Sequence, residues 1–179
     1  MTRFYQMTYV GDAEYAPFGV AYAAAHVPAL LLPPSGTRVQ NWMPLTLELR
    51  DGEYADYLAN DLGARLCSRR MREVVDASCT EHDDIQWLCT QVVAQDGESR
   101  PYSILHFPSD FPVLNRDHSV MAGDMPMQVV LSWQDALGHA IFTLPGEQGR
   151  RTYVAEEMRR ALERDRLTGI AFLGVETTA

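Results

Sequence analysis

The sequence predicts an α+β fold: one domain in which a mixed or antiparallel sheet is flanked by a few helices, and in which the chain ends as helix then strand. Three observations carry this. Short apolar or alternating stretches recur between Gly and Pro punctuation, among them Leu45–Leu49, Ile85–Ala94, Tyr102–Phe107 and Ala140–Leu144. Two segments, Arg69–Asp76 and Val154–Asp165, carry apolar residues at helical spacing. Finally, Gly169 separates the second of these from the apolar run Ile170–Val175.

In order, Arg3–Val10 mixes aromatic and polar residues as a strand does, and Gly11-Asp12 ends it as a turn. Ala16–Pro34 contains Pro17, Pro28, Pro33 and Pro34, which exclude a long helix, so an irregular covering is expected. Leu45, Leu47 and Leu49 alternate with Thr46 and Glu48, the pattern of a half-buried strand. Asp51–Asp61 reads as a short helix with an acidic outer face, and Ser68 as the N-cap of a helix burying Met71, Val74 and Val75. Asp96-Gly97 predicts a hairpin between Ile85–Ala94 and Tyr102–Phe107, with Pro101 at its edge or at the start of its second strand. Phe107–Pro112 and Met121–Pro126 read as loops, Gln128–Trp133 and Ala140–Leu144 as strands, and Pro145–Gly149 as a linker. Thr152 is placed to cap a last helix beginning near Val154, whose buried stripe is Val154, Met158, Ala161 and Leu162 and which Gly169 closes.

The chain has 179 residues, enough to bury roughly two-thirds of its unfolded surface in one core. Its formal charge is −9, and every basic side chain other than histidine is arginine. That charge disfavours nucleic acid and anionic membrane as partners and leaves basic proteins open. The longest apolar run, Ala21–Leu32, is broken by His26 and Pro28 and is too short to span a bilayer. Three dispersed cysteines and an amino terminus without a signal-peptide pattern predict a reducing, cytoplasmic setting.

No catalytic, cofactor or metal motif emerges. The histidines lack metal-ligand spacing, no phosphate-cradling glycine loop or dinucleotide fingerprint is present, and Asp117-His118-Ser119 are neighbours that point apart. The strongest enzymatic arrangement comes from a two-residue turn at Asp96-Gly97, which places Trp87 opposite His106 and Cys89 opposite Ile104, so that Cys89 and His106 become diagonal neighbours. Against this stands the commoner role of a cysteine as a small core residue. The acidic stretches offer a different chemistry. Asp51, Glu53, Asp56 and Asp61, interleaved with Tyr54 and Tyr57, together with Glu81, Asp83 and Asp84, are the candidate contact residues for a basic protein partner, against the alternative of an ordinary solvated face.

Tyr153–Glu163 followed by Leu167–Phe172 resembles the close of a bacterial immunity-protein family, immunity family eleven, found beside toxins of interbacterial competition. Leu66–Val75 looks like that family's earlier Ser-capped helix, Tyr102–Phe107 like its central strand, and Ala140–Leu144 like the strand before the last helix. Ala155 stands where the family often has a capping Ser, and Leu114-Asn115-Arg116 replaces an acidic, Cys-containing turn. The resemblance implies a family-like core over residues 45–179, with residues 1–44 as a strand-and-loop covering. It also implies a stoichiometric inhibitor of a cognate toxin that acts by occlusion, without catalysis or cofactor. The rival expectations are a small enzyme using Cys89 and His106, and a secretion adaptor for an effector.

Overall fold

A computed structural model describes residues 3–10, 17–23, 32–145 and 151–178. The Gly11-Asp12 turn, the part of the Pro-broken segment around His26 and Pro28, and Gly146–Gly149 of the linker lie outside the described residues. The architecture is α+β, with two main sheets and short helices, and it ends as helix then strand.

One sheet has five strands in the order β10 (Val130–Ser132), β13 (Ile170–Thr178), β1 (Phe4–Tyr9), β12 (Thr152–Ala155) and β11 (Ile141–Phe142). Its pairs are antiparallel except β10 with β13. The other sheet has six, β2 (Val20–Ala23), β3 (Leu45–Arg50), β6 (Gln86–Ala94), β7 (Ser99–His106), β5 (Leu66–Ser68) and β4 (Tyr57–Leu58), of which only β3 and β6 run parallel. β8 (Val120–Ala122) and β9 (Met125–Gln128) form a separate two-stranded hairpin where a loop was expected. The first 44 residues therefore do more than cover the core, since β1 lies in the middle of one sheet and β2 extends the other.

α1 (Arg69–Ser78) and α3 (Glu156–Arg164) pack on one another and on one face of each sheet. They enclose a central core that includes Met71, Val75, Met158, Leu162, Met7, Leu105 and Phe107. The opposite face of the six-stranded sheet buries Leu47, Leu49, Leu88 and Val92 beneath Phe18, Leu32, Val39 and Trp42. The opposite face of the five-stranded sheet buries Phe4, Phe142 and Tyr153 against Leu131, Val113 and α2 (Trp133–Ala136). Arg65 joins the two sheets. It donates from Nε to the Thr152 hydroxyl at 2.6 Å and from Nη2 to the Thr143 hydroxyl and the Arg151 carbonyl at 2.9 Å, with its guanidinium over the Phe107 ring.

Ser68 caps α1 as its sequence predicts, accepting from the Met71 amide at 3.2 Å. The last helix differs from its expected form at both ends. It begins at Glu156 after an Ala155 cap with no side-chain hydrogen bond, because Thr152 and Val154 belong to β12, opposite Met7 and Tyr5 of β1. The stripe Val154, Met158, Ala161, Leu162 is buried nonetheless, its first member from a strand. At the other end Arg166 takes the left-handed conformation, φ 51°. Leu167 N–H donates to the Leu162 carbonyl and Arg166 N–H to that of Glu163, the paired bonds of a Schellman ending. Helix closure thus belongs to Arg166, and Gly169 does something else. β13, expected to be covered on both faces, is half open, with Leu173 57% exposed.

The short helix expected over Asp51–Asp61 is not formed. Asp51 (φ 53°) and Gly52 (φ 149°) turn the chain sharply, and the following backbone is claimed by other partners. Gly19 N–H donates to the Glu53 carbonyl, Ala21 N–H to that of Ala59, and Tyr57 N–H to that of Thr168. An extended segment whose carbonyls and amides are paired with the Gly19–Ala21 backbone and the α3–β13 turn no longer has them for a helix. No described helix is long and apolar enough to cross a membrane.

Candidate interaction surface

The structure separates the nine acidic and tyrosine candidates into framework and surface. Asp56 is 6% exposed. Its Oδ1 accepts from the Ser68 hydroxyl at 2.6 Å, and its Oδ2 from the Thr168 amide at 2.9 Å, the Thr168 hydroxyl at 3.1 Å and Arg70 at 3.3 Å. Tyr57 is buried and stacks on Tyr9 with ring centroids 4.4 Å apart, and burial pushes its hydroxyl up to about 12. Asp83 has a fully buried side chain that accepts from the amides of Thr80 at 2.8 Å and Ala140 at 3.0 Å. These three residues hold chain segments together and present nothing to a partner, which corrects their expected place on a docking face.

Tyr54 and Asp84 are intermediate. The Tyr54 hydroxyl donates to the Glu98 carbonyl at 2.8 Å beneath the Arg100 guanidinium. Asp84 accepts from Arg38 and from the Ser109 hydroxyl, both at 2.6 Å. Asp51, Glu53, Asp61 and Glu81 remain exposed. The first three follow β3, where the Asp61 carboxylate accepts from the Ala23 amide, whereas the Glu81–Asp84 stretch packs against Gly138–Ile141.

The Cys89–His106 arrangement is absent, for a reason of register. The β6–β7 loop contains three residues, Gln95, Asp96 and Gly97, closed by Ala94 N–H to the Glu98 carbonyl, with Gly97 at φ 88°. One residue more in the loop places Cys89 opposite Ser103 and His106 opposite Gln86. A slip of one position exchanges the faces of a strand. Cys89 is exposed on one face, while His106 is 4% exposed on the other, its Nε2 2.6 Å from the Thr37 carbonyl. Burial pulls the His106 imidazole below its ordinary range, which keeps it a neutral donor to that carbonyl. Ser119, of the Asp117-His118-Ser119 run, donates to the Asn115 carbonyl and accepts from the Val130 amide. Among the described residues no three His, Cys, Asp or Glu side chains are grouped to hold a metal ion.

Thiol chemistry follows from these positions. Burial pushes Cys67 far above its ordinary range and Cys79 up to about 12, whereas Cys89 is exposed. In native protein a maleimide should modify Cys89 alone at a rate typical of an open thiol, and His106→Ala should leave that rate unchanged. Mass spectrometry of the labelled peptides checks both, and a rate that falls with His106→Ala would show that the two residues communicate.

The surface feature that sequence reasoning missed is the β8–β9 hairpin. Strand β9 alternates Met125 (64% exposed), buried Pro126 and Met127 (62% exposed), and Val120 of β8 is 54% exposed. The large apolar side chains Met125 and Met127 thus face outward, where a half-buried strand carries polar residues. The register shifts between Val120 and Met121, so Met127 is the extra residue of a bulge, and the hairpin joins neither large sheet. It is anchored at two places: near its turn the Pro126 carbonyl accepts from Arg151 at 3.2 Å, and at its base Ser119 is tied to Asn115 and Val130. The two-residue Gly123-Asp124 turn was the legible signal, within a stretch whose Gly and Pro read as a loop. No protein-family model matches the sequence, and no curated protein matches it.

Proposed function

We propose that this chain is a cytoplasmic immunity protein that binds a cognate toxin stoichiometrically and neutralises it by occlusion. The observation that carries the reading is the outward-facing apolar hairpin Val120–Gln128, held by Arg151 and Ser119 and, among the described residues, part of neither large sheet. Flexible, polarisable methionines on such an element suit a protein interface, because they pack against a partner without needing a polar counterpart. The resemblance of Tyr153–Phe172 to an immunity-family ending supports the class. The formal charge of −9 adds the partner's chemistry: an apolar groove with a basic rim, approached under electrostatic attraction that salt screens beyond about 8 Å.

The polypeptide encoded next to this chain in its own genome is the candidate toxin for the test. Co-expression should protect cells, purified proteins should form a 1:1 complex, and association should slow as salt rises. Met125→Asp with Met127→Asp should weaken binding by at least about tenfold, since a charge must then be desolvated at the interface. The melting temperature should hold, because both side chains are largely exposed. Absence of both complex and protection with the parent protein overturns the reading.

A further inference from the structure

A cleft of roughly 290 Å³ opens where four separate chain segments meet: Tyr54–Asp56, Ser68–Arg70, Arg100–Tyr102 and Thr168. Three arginines, Arg69, Arg70 and Arg100, line it, against a single carboxylate, Asp56. The side chains that line the cleft are thus mostly basic, although Glu73 and Glu98 stand beside Arg69 and Arg100 just outside it. The one acid that lines it is no counterweight available to a ligand site, because both of its oxygens are occupied by Ser68, Thr168 and Arg70 and it is 6% exposed.

The arginines differ in what they can offer. Arg70 is fixed between Asp56 at 3.3 Å and the Asp165 carbonyl at 2.8 Å, and so contributes charge. Arg69 bonds Glu73 through Nε at 2.9 Å, and Arg100 bonds Glu98 through Nε at 2.8 Å. Both keep their terminal nitrogens outside those bonds, with side chains 81% and 50% exposed. Arg100 further lies over the Tyr54 ring, its Cζ 4.1 Å from the centroid. A guanidinium positioned through its Nε, with its outer fork open, is prepared for bidentate recognition of an oxyanion. The order of residues in α1 adds a cost that such a ligand would remove. Arg69, Arg70 and Arg72 occupy the opening of a helix whose first turn contains no acid, so cations stand at the positive end of the macrodipole.

From this geometry we infer that the cleft binds a small phosphate-type oxyanion, free or carried as an ester, through the open forks of Arg69 and Arg100. The site is independent of the hairpin, and its failure leaves the immunity reading untouched. Calorimetric titration of the full chain with inorganic pyrophosphate at low ionic strength should give saturable 1:1 binding. Arg69→Gln and Arg100→Gln should each weaken it about tenfold, the scale of losing one charge-assisted bidentate pair, and the double variant should abolish it. Arg160→Gln, on the exposed side of α3, should change nothing. Adenosine diphosphate in a parallel titration separates the sources: binding of both ligands assigns an ester, and binding of pyrophosphate alone a free anion. No saturable binding of pyrophosphate to the parent, or undiminished binding to a double variant with the parent's circular dichroism, overturns the assignment.

Discussion

Gly169→Ala should destabilise the protein by about 4 kcal/mol and lower its melting temperature by roughly 8–16 °C for a chain of this size. Two effects add. Gly169 sits at φ 78°, where an L side chain costs about 1–2 kcal/mol. A Cβ there would also stand 2.4 Å from the Tyr57 carbonyl oxygen and 2.7 Å from the Ala55 Cβ. Neither neighbour is the free end of a flexible chain. The α3–β13 turn must therefore draw back from β4, and with it the bonds from Tyr57 N–H to the Thr168 carbonyl and from Thr168 N–H to Asp56 are stretched. Gly97→Ala is the control, because Gly97 has a similar φ of 88° and open space around it. It should cost only the backbone term of about 1–2 kcal/mol. Equal thermal shifts for the two variants would remove the close approach as a cause.

How much of this could be read from residues alone follows the range of the interactions involved. Local chemistry was legible: the Ser68 cap, the Met71–Val75 stripe, the alternation over Leu45–Leu49 and the buried Met158–Leu162 face all stand where their patterns put them. Choices settled by distant partners were not. Thr152 carries the chemistry of a cap, yet pairing with Met7 of β1 draws it into a strand. Asp51–Asp61 has helical spacing, yet its amides and carbonyls are taken by β2 and Thr168. The β6–β7 turn was recognised, but its length decides register, and one residue separates a thiol–imidazole pair from two groups on opposite faces. Charge patterning misled in the same way. Asp56 and Asp83 look like solvated acids because the amides and hydroxyls that bind them come from elsewhere in the chain. The outward methionines of β9 were legible as residues but not as a surface, because their meaning depends on a hairpin that no local rule required.

Asp56→Ala should cost about 2–4 kcal/mol, the scale for leaving a buried amide donor without its acceptor and loosening a helix cap together. The carboxylate ties three elements at once. Through Oδ1 it holds the hydroxyl that caps α1, and through Oδ2 it holds Thr168 ahead of β13 and Arg70 in the first turn of α1. Its own amide donates to the Thr168 hydroxyl and its carbonyl accepts from the Ser68 amide, so the backbone at residue 56 is part of the same junction. Deleting the side chain leaves the Thr168 amide without its acceptor and frees Ser68 from its orientation as cap. Asp56→Asn keeps an acceptor oxygen but places an amide where Thr168 or Arg70 donates, so roughly half of the loss should remain. Asp61→Ala, which removes one exposed acceptor from the Ala23 amide, should cost under about 1 kcal/mol. Urea denaturation of the three variants measures the order directly. If Asp56→Ala and Asp61→Ala unfold at the same urea concentration as the parent, Asp56 is an ordinary surface acid and returns to the candidate docking residues. If the order is as expected, charge reversal at Asp56 or Asp83 reports on folding. Among the acidic candidates, the exposed Asp51, Glu53, Asp61 and Glu81 then test whether acidity steers a partner.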